Sequence, residues 1–207
     1  MTQPLMRSAC PIITRQPPYL PEEPQFVSVP VWGMIETQLH TGMRQGEVMT
    51  MRGCDLNVSG AVWEYSPDSH KTEHHGRRRM VFIGPKAQAV LREFLKTEIA
   101  AYLFRPVDAR KERKGKRRFR ERYTSDSYNS AIRRGIQKAN RERSEAGEME
   151  IPHWHPNQLR HTAGTLVRRE FGLDAARTVL GHSSAAVTEI YAEMDMAKAA
   201  EIAAKIG

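Results

Sequence analysis

The chain has 207 residues, a net charge of +8 and an isoelectric point near 9.7, and 40% of its residues are hydrophobic. These values fit one sizeable globular domain and exclude a disordered or fibrous chain. No run approaches the roughly 20 apolar residues of a membrane span, and the N-terminus lacks a signal-peptide core. We therefore expect a cytoplasmic protein with no membrane partner.

The predicted elements begin after an irregular, proline-containing lead-in at residues 1–29. Apolar residues recurring every three or four positions predict helices at 30–39, from about 45, from 85, from 124 or 125, and at 156–170, 174–180, 184–193 and 195–205. Alternating or apolar runs predict two strands, 61–65 and 80–83, separated by a long polar excursion. Residues 141–152 are polar and predict a loop. The fold class is α+β, mostly helical, with a small antiparallel sheet.

Nearly the whole net positive charge lies in one basic insertion at residues 105–122, which has ten lysines or arginines against three acids, a net +7 of the chain's +8. Such a block repels itself and gains by releasing counterions when it meets a polyphosphate. On charge alone a solvated loop is an alternative. We expect contacts with double-stranded DNA here and at the arginine run before the second strand: Arg77, Arg78, Arg79, Lys114, Lys116, Arg117 and Arg118.

The two cysteines, Cys10 and Cys54, lie far apart in the sequence and predict free thiols rather than a disulfide framework. The histidines do not follow the paired spacing of a zinc site. We predict no metal and no cofactor.

Four residues suit the cleavage of a phosphodiester by a tyrosine: Arg44, Arg160, His182 and Tyr191. The transition state concentrates negative charge on the phosphate oxygens, and a guanidinium stays protonated while offering a planar fork of donors. His182 follows a helix-ending glycine and could donate to a nonbridging oxygen. Tyr191 is the predicted nucleophile, although a core tyrosine would fit the same pattern.

Supporting roles are assigned from neighbouring positions. Glu47, one turn after Arg44, is expected to orient its guanidinium. Lys71, in the excursion between the strands, is the candidate acid for the leaving 5′ oxygen, and His74 or His75 could serve instead.

Together, the segments TGMRQGEVMTMRGCDL, HKT, NQLRHTAGTL and VLGHSSAAVTEIY and the tail AKAAEIAAKIG resemble the catalytic domain of the tyrosine recombinases, the phage-integrase family. The resemblance covers roughly residues 31–207 and implies that family's fold. It also implies a covalent 3′-phosphotyrosyl intermediate, strand exchange without metal or ATP, and a tetrameric synapse on DNA. Family members often dock their terminal helix on a neighbouring protomer. The apolar face available for this docking comprises Met196, Ala199, Ala200, Ile202 and Ala203.

Two departures from the family pattern affect these expectations. Many members place a histidine three residues before the second arginine, where this chain has Asn157, which cannot accept a proton at neutral pH. His155 could substitute, and His161 lies beside Arg160 as a further supporting residue. Members also usually begin with a helical clamp domain, whereas this chain has only the irregular residues 1–29 at that place, so we expect the clamp domain to be absent. Residues 30–207 are therefore interpreted as a catalytic domain that is a fragment, a stand-alone domain or a degraded gene product.

The leading hypothesis is a nucleoid-associated site-specific recombinase or integrase. One alternative is a catalytically impaired or truncated DNA-binding module acting at recombination sites. Another is a type IB topoisomerase, which shares the chemistry but not the site specificity.

Overall fold

The computed structural model describes residues 26–67, 79–109, 120–181 and 199–206. The helices are α1 (Val29–Thr41), α2 (Gln45–Met49), α3 (Pro85–Arg92), α4 (Ser125–Glu145), α5 (Pro156–Phe171) and α6 (Leu173–Leu180). The strands are β1 (Leu56–Asn57), β2 (Trp63–Tyr65) and β3 (Val81–Ile83), with 3₁₀ turns at Gly53–Asp55 and Pro106–Ala109. The predicted mostly helical fold with a small antiparallel sheet is confirmed.

The sheet has the order β1-β2-β3, and both neighbouring pairs are antiparallel. Trp63 and Tyr65 are buried on the inner face of β2, as Val81 and Ile83 are on β3. The sequence predicted the β2–β3 pair but missed β1, which has only two residues and therefore no alternation to detect.

Helix α1 lies at the centre of the fold and packs against α2, α3, α4, α5 and β3. Its residues Val31, Met34 and Ile35 are buried, as the helical spacing predicted. Gly33 lets the helix approach the rings of Phe94 and Phe104 closely. Gly42, in the left-handed conformation, ends α1 and turns the chain toward α2.

Helix α4 is longer than predicted, because it continues to Glu145 rather than ending before residue 141. Thr124 caps its first turn, and Tyr128, Ile132 and Ala139 are buried along one side. The polar residues 141–145 form the exposed last turn, so the prediction of a loop at 141–152 was wrong over its first part.

Residues 199–206 are helical, and their apolar face is buried within the same chain. Ile202 is 3% exposed and packs in a cluster with Val167, Ala175 and Ala176 of α5 and α6. Ala199 and Ala203 are also buried. The face that we expected to be free for a neighbouring protomer is thus covered by its own chain here. Met196 lies outside the described residues.

Two further observations concern the described residues alone. None of their helices combines the length and apolar character that crossing a membrane requires. Cys54 is exposed and free, as predicted, whereas Cys10 lies outside these ranges.

Candidate active site

Arg44 stands at the turn between α1 and α2, where it precedes the first residue of α2. Its backbone N–H donates to Glu47 Oε2 at 2.7 Å, and its Nη1 donates to Glu47 Oε1 at 2.8 Å. The side chain of Arg44 is 44% exposed, whereas that of Glu47 is 6% exposed. The carboxylate therefore holds the inner end of a guanidinium whose remaining surface faces solvent.

Buried hydrogen bonds fix the position of this turn. Gln38 donates to the carbonyl of Met43 at 3.2 Å and accepts from the phenol of Tyr128 at 2.9 Å. On the other side, the phenol of Tyr65 donates to the main-chain carbonyl of Glu47 at 2.8 Å. The segment that carries Arg44 and Glu47 is thereby anchored to both α4 and the sheet.

Arg160 on α5 is 9% exposed and bridges the ends of two other helices. Its Nη1 donates to the carbonyl of Gly42 at the end of α1, and its Nη2 donates to the carbonyl of Leu180 at the end of α6, both at 2.6 Å. Helix C-termini carry partial negative charge and favour a cation. A guanidinium has five N–H donors, so these two bonds leave capacity for an anion.

The side chain of Leu180 makes the approach of these helix ends possible. It fits between two glycines, where an added Cβ would lie 2.7 Å from Leu180 Cδ2 at Gly42 and 2.7 Å from Leu180 Cδ1 at Gly164. Leu180 is 7% exposed, so apolar packing determines where its carbonyl meets Arg160.

Arg79, just before β3, is the third guanidinium of the site. Its Nε donates to Glu47 Oε1 at 3.3 Å, and its side chain is 7% exposed. We expected Arg79 to contact the DNA backbone as part of an arginine run. The structure instead places it beneath Arg44, against the carboxylate of Glu47, and the sequence analysis missed this role.

Three guanidiniums and one carboxylate give this cluster an excess of positive charge. Burial lowers the pKa of Arg160 to about 10, an effect to which the charges of Arg44 and Arg79 add and which Glu47 opposes. Burial also lowers the pKa of Arg79, against the effect of Glu47. Burial raises the pKa of Glu47, but the charge of Arg79 and the contacts with Arg44 outweigh it, so the net pKa is lowered. An anion would relieve the mutual repulsion of the three guanidiniums.

A cleft of about 370 Å³ is lined by residues that neighbour Arg44 and Arg160 in the sequence. Its lining includes Gln45, which follows Arg44, and Asn157, one turn before Arg160. His155 and the ring of His153 also line it, with their ring centroids 5.8 Å apart. Asn157, His155 and His161 are all exposed. The structure thus brings both imidazoles and Asn157 together in one exposed cleft.

The remaining predicted site residues stay predictions. Lys71, Arg77, Arg78, Lys114, Lys116, Arg117, Arg118, His182 and Tyr191 lie outside the described residues. In the described part of the chain, no group of three or more histidine, cysteine or acidic side chains is placed to hold a metal ion.

Solved structures with a similar fold include the Tn1549 transposon integrase in complex with circular intermediate DNA. One such complex has a TM-score of 0.55 at 18% identity and covers 81% of this chain and 59% of that chain. A second, of a variant of that integrase, has a TM-score of 0.56 at 18% identity, covering 81% and 58%. The XerA recombinase gives 0.49 at 20% identity, covering 96% and 67%. This chain thus spans less than two thirds of the integrase chains that it matches.

No curated protein sequence matches the chain. The family model described as the phage integrase family matches residues 23–198, which include Arg44, Arg79 and Arg160. The match covers most of the sequence and agrees with both the observed fold and the motifs. The chain belongs to the phage integrase family.

Proposed function

We propose that this protein is a site-specific DNA recombinase that cuts and rejoins strands through a tyrosine. The observation that carries the proposal is the convergence of Arg44, at the start of α2, and Arg160, on α5, on one cluster with excess positive charge. A phosphodiester supplies the missing negative charge, and in its transition state it gains more charge on the same oxygens. Preorganised donors of this kind are worth a few kcal/mol each in transition-state stabilisation.

In the proposed reaction the phenolic oxygen of Tyr191 attacks the scissile phosphorus and passes its proton to a base, for which His155 is the candidate. The bond from phosphorus to the 5′ oxygen breaks, and Lys71 protonates that oxygen as it leaves. The phosphate remains on the 3′ side as an ester of the tyrosine, while Arg44, Arg160 and His182 hold its oxygens. A 5′ hydroxyl from a second strand reverses these steps, so the bond is rejoined without an external energy source.

Trapping the covalent adduct tests this reaction. Duplexes drawn from the DNA flanking the gene, each nicked near the candidate cleavage position, lose the short strand after cleavage and cannot religate. We expect a protein–DNA adduct that survives denaturation in the wild-type chain and is absent from Tyr191→Phe. Equal adduct formation by that variant would rule out the assigned nucleophile.

Asn157 favours a second candidate function, a DNA-binding module that does not cleave. It lines the cleft that also contains His153 and His155, but it cannot take the proton of a tyrosine. Specific binding to flanking DNA, without any adduct on the nicked duplexes, would favour this candidate. If instead Asn157→His accelerates adduct formation and His155→Ala slows it, His155 serves as the proton acceptor.

We propose further that the protein acts on double-stranded DNA in the nucleoid and assembles there as a tetramer. Because Ala199, Ile202 and Ala203 are buried in their own chain, a terminal helix that docks on a neighbour must first leave α5 and α6. Light scattering should give the mass of one chain without DNA and of four chains on paired sites. A constant monomer mass on cleavable DNA would exclude this assembly.

A further inference from the structure

Arg79 is a buried arginine for which the reaction above has no role. It lies two residues before Val81 and four before Ile83, and the inner face of β3 buries both of those side chains. Side chains two positions apart on an extended segment point to the same side, so the side chain of Arg79 points inward like those of Val81 and Ile83. Its Nε then meets Glu47 Oε1 at 3.3 Å.

The other side of the guanidinium lies against the turn that ends α6. A Cβ built on Gly181 would lie 2.1 Å from Arg79 Nη1 and 2.9 Å from Arg79 Cζ. Gly181 also has a φ of +61°, in the left-handed region that favours glycine. A side chain at this position would therefore be strained by the backbone conformation and would displace the end of Arg79.

Arg79 and Arg160 flank the same turn. Arg160 Nη2 holds the carbonyl of Leu180, while Arg79 packs against the Cα of Gly181. The residue that follows in the sequence is His182, and the excursion that precedes Arg79 contains Lys71. Arg79 therefore connects two segments that carry groups of the proposed reaction: it follows the excursion that contains Lys71, and it contacts the turn that precedes His182.

We propose that Arg79 is a positioning residue of the phosphate site, one that fixes Arg44 through Glu47 and braces the Leu180–Gly181 turn before His182. This inference rests on the proposed function. An arginine suits the role because its planar, weakly hydrated guanidinium can contact a carboxylate at one edge and a glycine backbone at another. A lysine would keep the charge but lose both the flat contact and the second donor.

The first test compares Arg79→Gln with the wild-type chain in adduct formation on nicked DNA. We expect the rate of the chemical step to fall about 100-fold, as displaced catalytic groups typically cost, while the affinity for DNA stays within about threefold. Arg79→Lys should recover part of the rate. A methylphosphonate at the scissile position removes the charged oxygen that Arg44 and Arg160 hold. The loss caused by Arg79→Gln should therefore shrink on that substrate, which a general loss of folding would not produce.

A second measurement needs no substrate. The N–H of Gly181 donates to the carbonyl of Thr178 at 3.0 Å, so hydrogen exchange of the Gly181 amide reports on the turn. Arg79→Gln should speed that exchange at least tenfold relative to amides in the middle of α1. The matched control is Arg52→Gln, which removes an arginine paired with Asp55 at 2.9 Å. It should leave the adduct rate and the Gly181 exchange within about twofold.

The outcomes separate the inference from the proposed function. If the wild-type chain forms adducts and Arg79→Gln forms them equally fast, the positioning role is wrong and the proposed function stands. If the wild type forms no adduct, the proposed function fails, and the exchange of Gly181 still decides whether Arg79 braces the turn. Unchanged exchange in Arg79→Gln overturns that part of the inference.

Discussion

Replacing Glu47 with glutamine tests whether one buried carboxylate holds the arginine cluster together. Its oxygens accept from the backbone and Nη1 of Arg44 and from Nε of Arg79. Removing one partner of a buried ion pair typically costs about 3–5 kcal/mol, because the other charge stays buried without compensation. We expect about 3 kcal/mol in the free energy of unfolding, since Arg44 is half exposed and the glutamine oxygen can keep one hydrogen bond.

The stability lost in Glu47→Gln should depend on pH in a direction that the pKa of Glu47 determines. The pKa of Glu47 is lowered in the folded protein, because the effects of Arg79 and Arg44 outweigh that of burial, which raises it. A carboxyl group with a depressed folded pKa contributes stability that is complete above its unfolded pKa and disappears as the pH falls through the folded value. The difference between the wild type and Glu47→Gln should therefore be constant at neutral pH and shrink in acid, below about pH 4.5.

Urea unfolding of both proteins at pH 7 and at acid pH measures this difference. Glu148→Gln is the matched control, because Glu148 pairs with Arg143 at 2.9 Å but is 54% exposed. A surface pair of this kind contributes about 0–1 kcal/mol. A loss below about 1 kcal/mol for Glu47→Gln at pH 7, or one that persists unchanged in acid, would refute our account of the cluster.

Three further predictions concern the packing around the site and its charge. Tyr65→Phe removes the donor to the carbonyl of Glu47 and should cost about 0.5–1.5 kcal/mol in urea unfolding; no change would mean that this bond does not anchor α2. Leu180→Ala should cost about 2–5 kcal/mol in the free energy of unfolding and slow adduct formation, because it removes the side chain that packs between Gly42 and Gly164 and so positions the carbonyl bound by Arg160. A loss of stability with a normal rate would mean that this packing does not affect catalysis. Neutralising the basic residues of 110–122 should flatten the dependence of log K on log salt by about 0.9 for each phosphate that the segment no longer neutralises, and an unchanged slope would place that segment away from DNA.

The sequence predicted the partnership of Arg44 and Glu47 because three positions on a helix bring two side chains together. It also placed Arg160 on an amphipathic helix. It could not predict the carbonyls that Arg160 holds, since Gly42 and Leu180 lie 118 and 20 residues away along the chain. Contacts of that kind depend on how the helices pack, which local periodicity does not specify.

For Arg79 we gave more weight to the run of three arginines than to the alternation of β3. Three consecutive arginines suggest a surface that meets phosphate, and we interpreted the run in that way. The alternation of β3 indicates a different role: Val81 and Ile83 face inward, and Arg79 shares their parity. Extending the strand pattern back by one step would have separated Arg79 from its two neighbours.

The arginine cluster lowers the stability of the folded protein but favours the binding of a phosphate. Burial lowers the pKa of Arg160, and the charges of Arg44 and Arg79 lower it further. Besides the carboxylate of Glu47, uncharged contacts hold them together: the hydrogen bond from Gln38 to the carbonyl of Met43, that from Tyr65 to the carbonyl of Glu47, and the packing of Leu180. The free energy of folding thus offsets the repulsion between these charges before any phosphate binds. Because the donors need little reorganisation when charge develops on the phosphate oxygens, the strain of the unliganded cluster becomes stabilisation of the transition state.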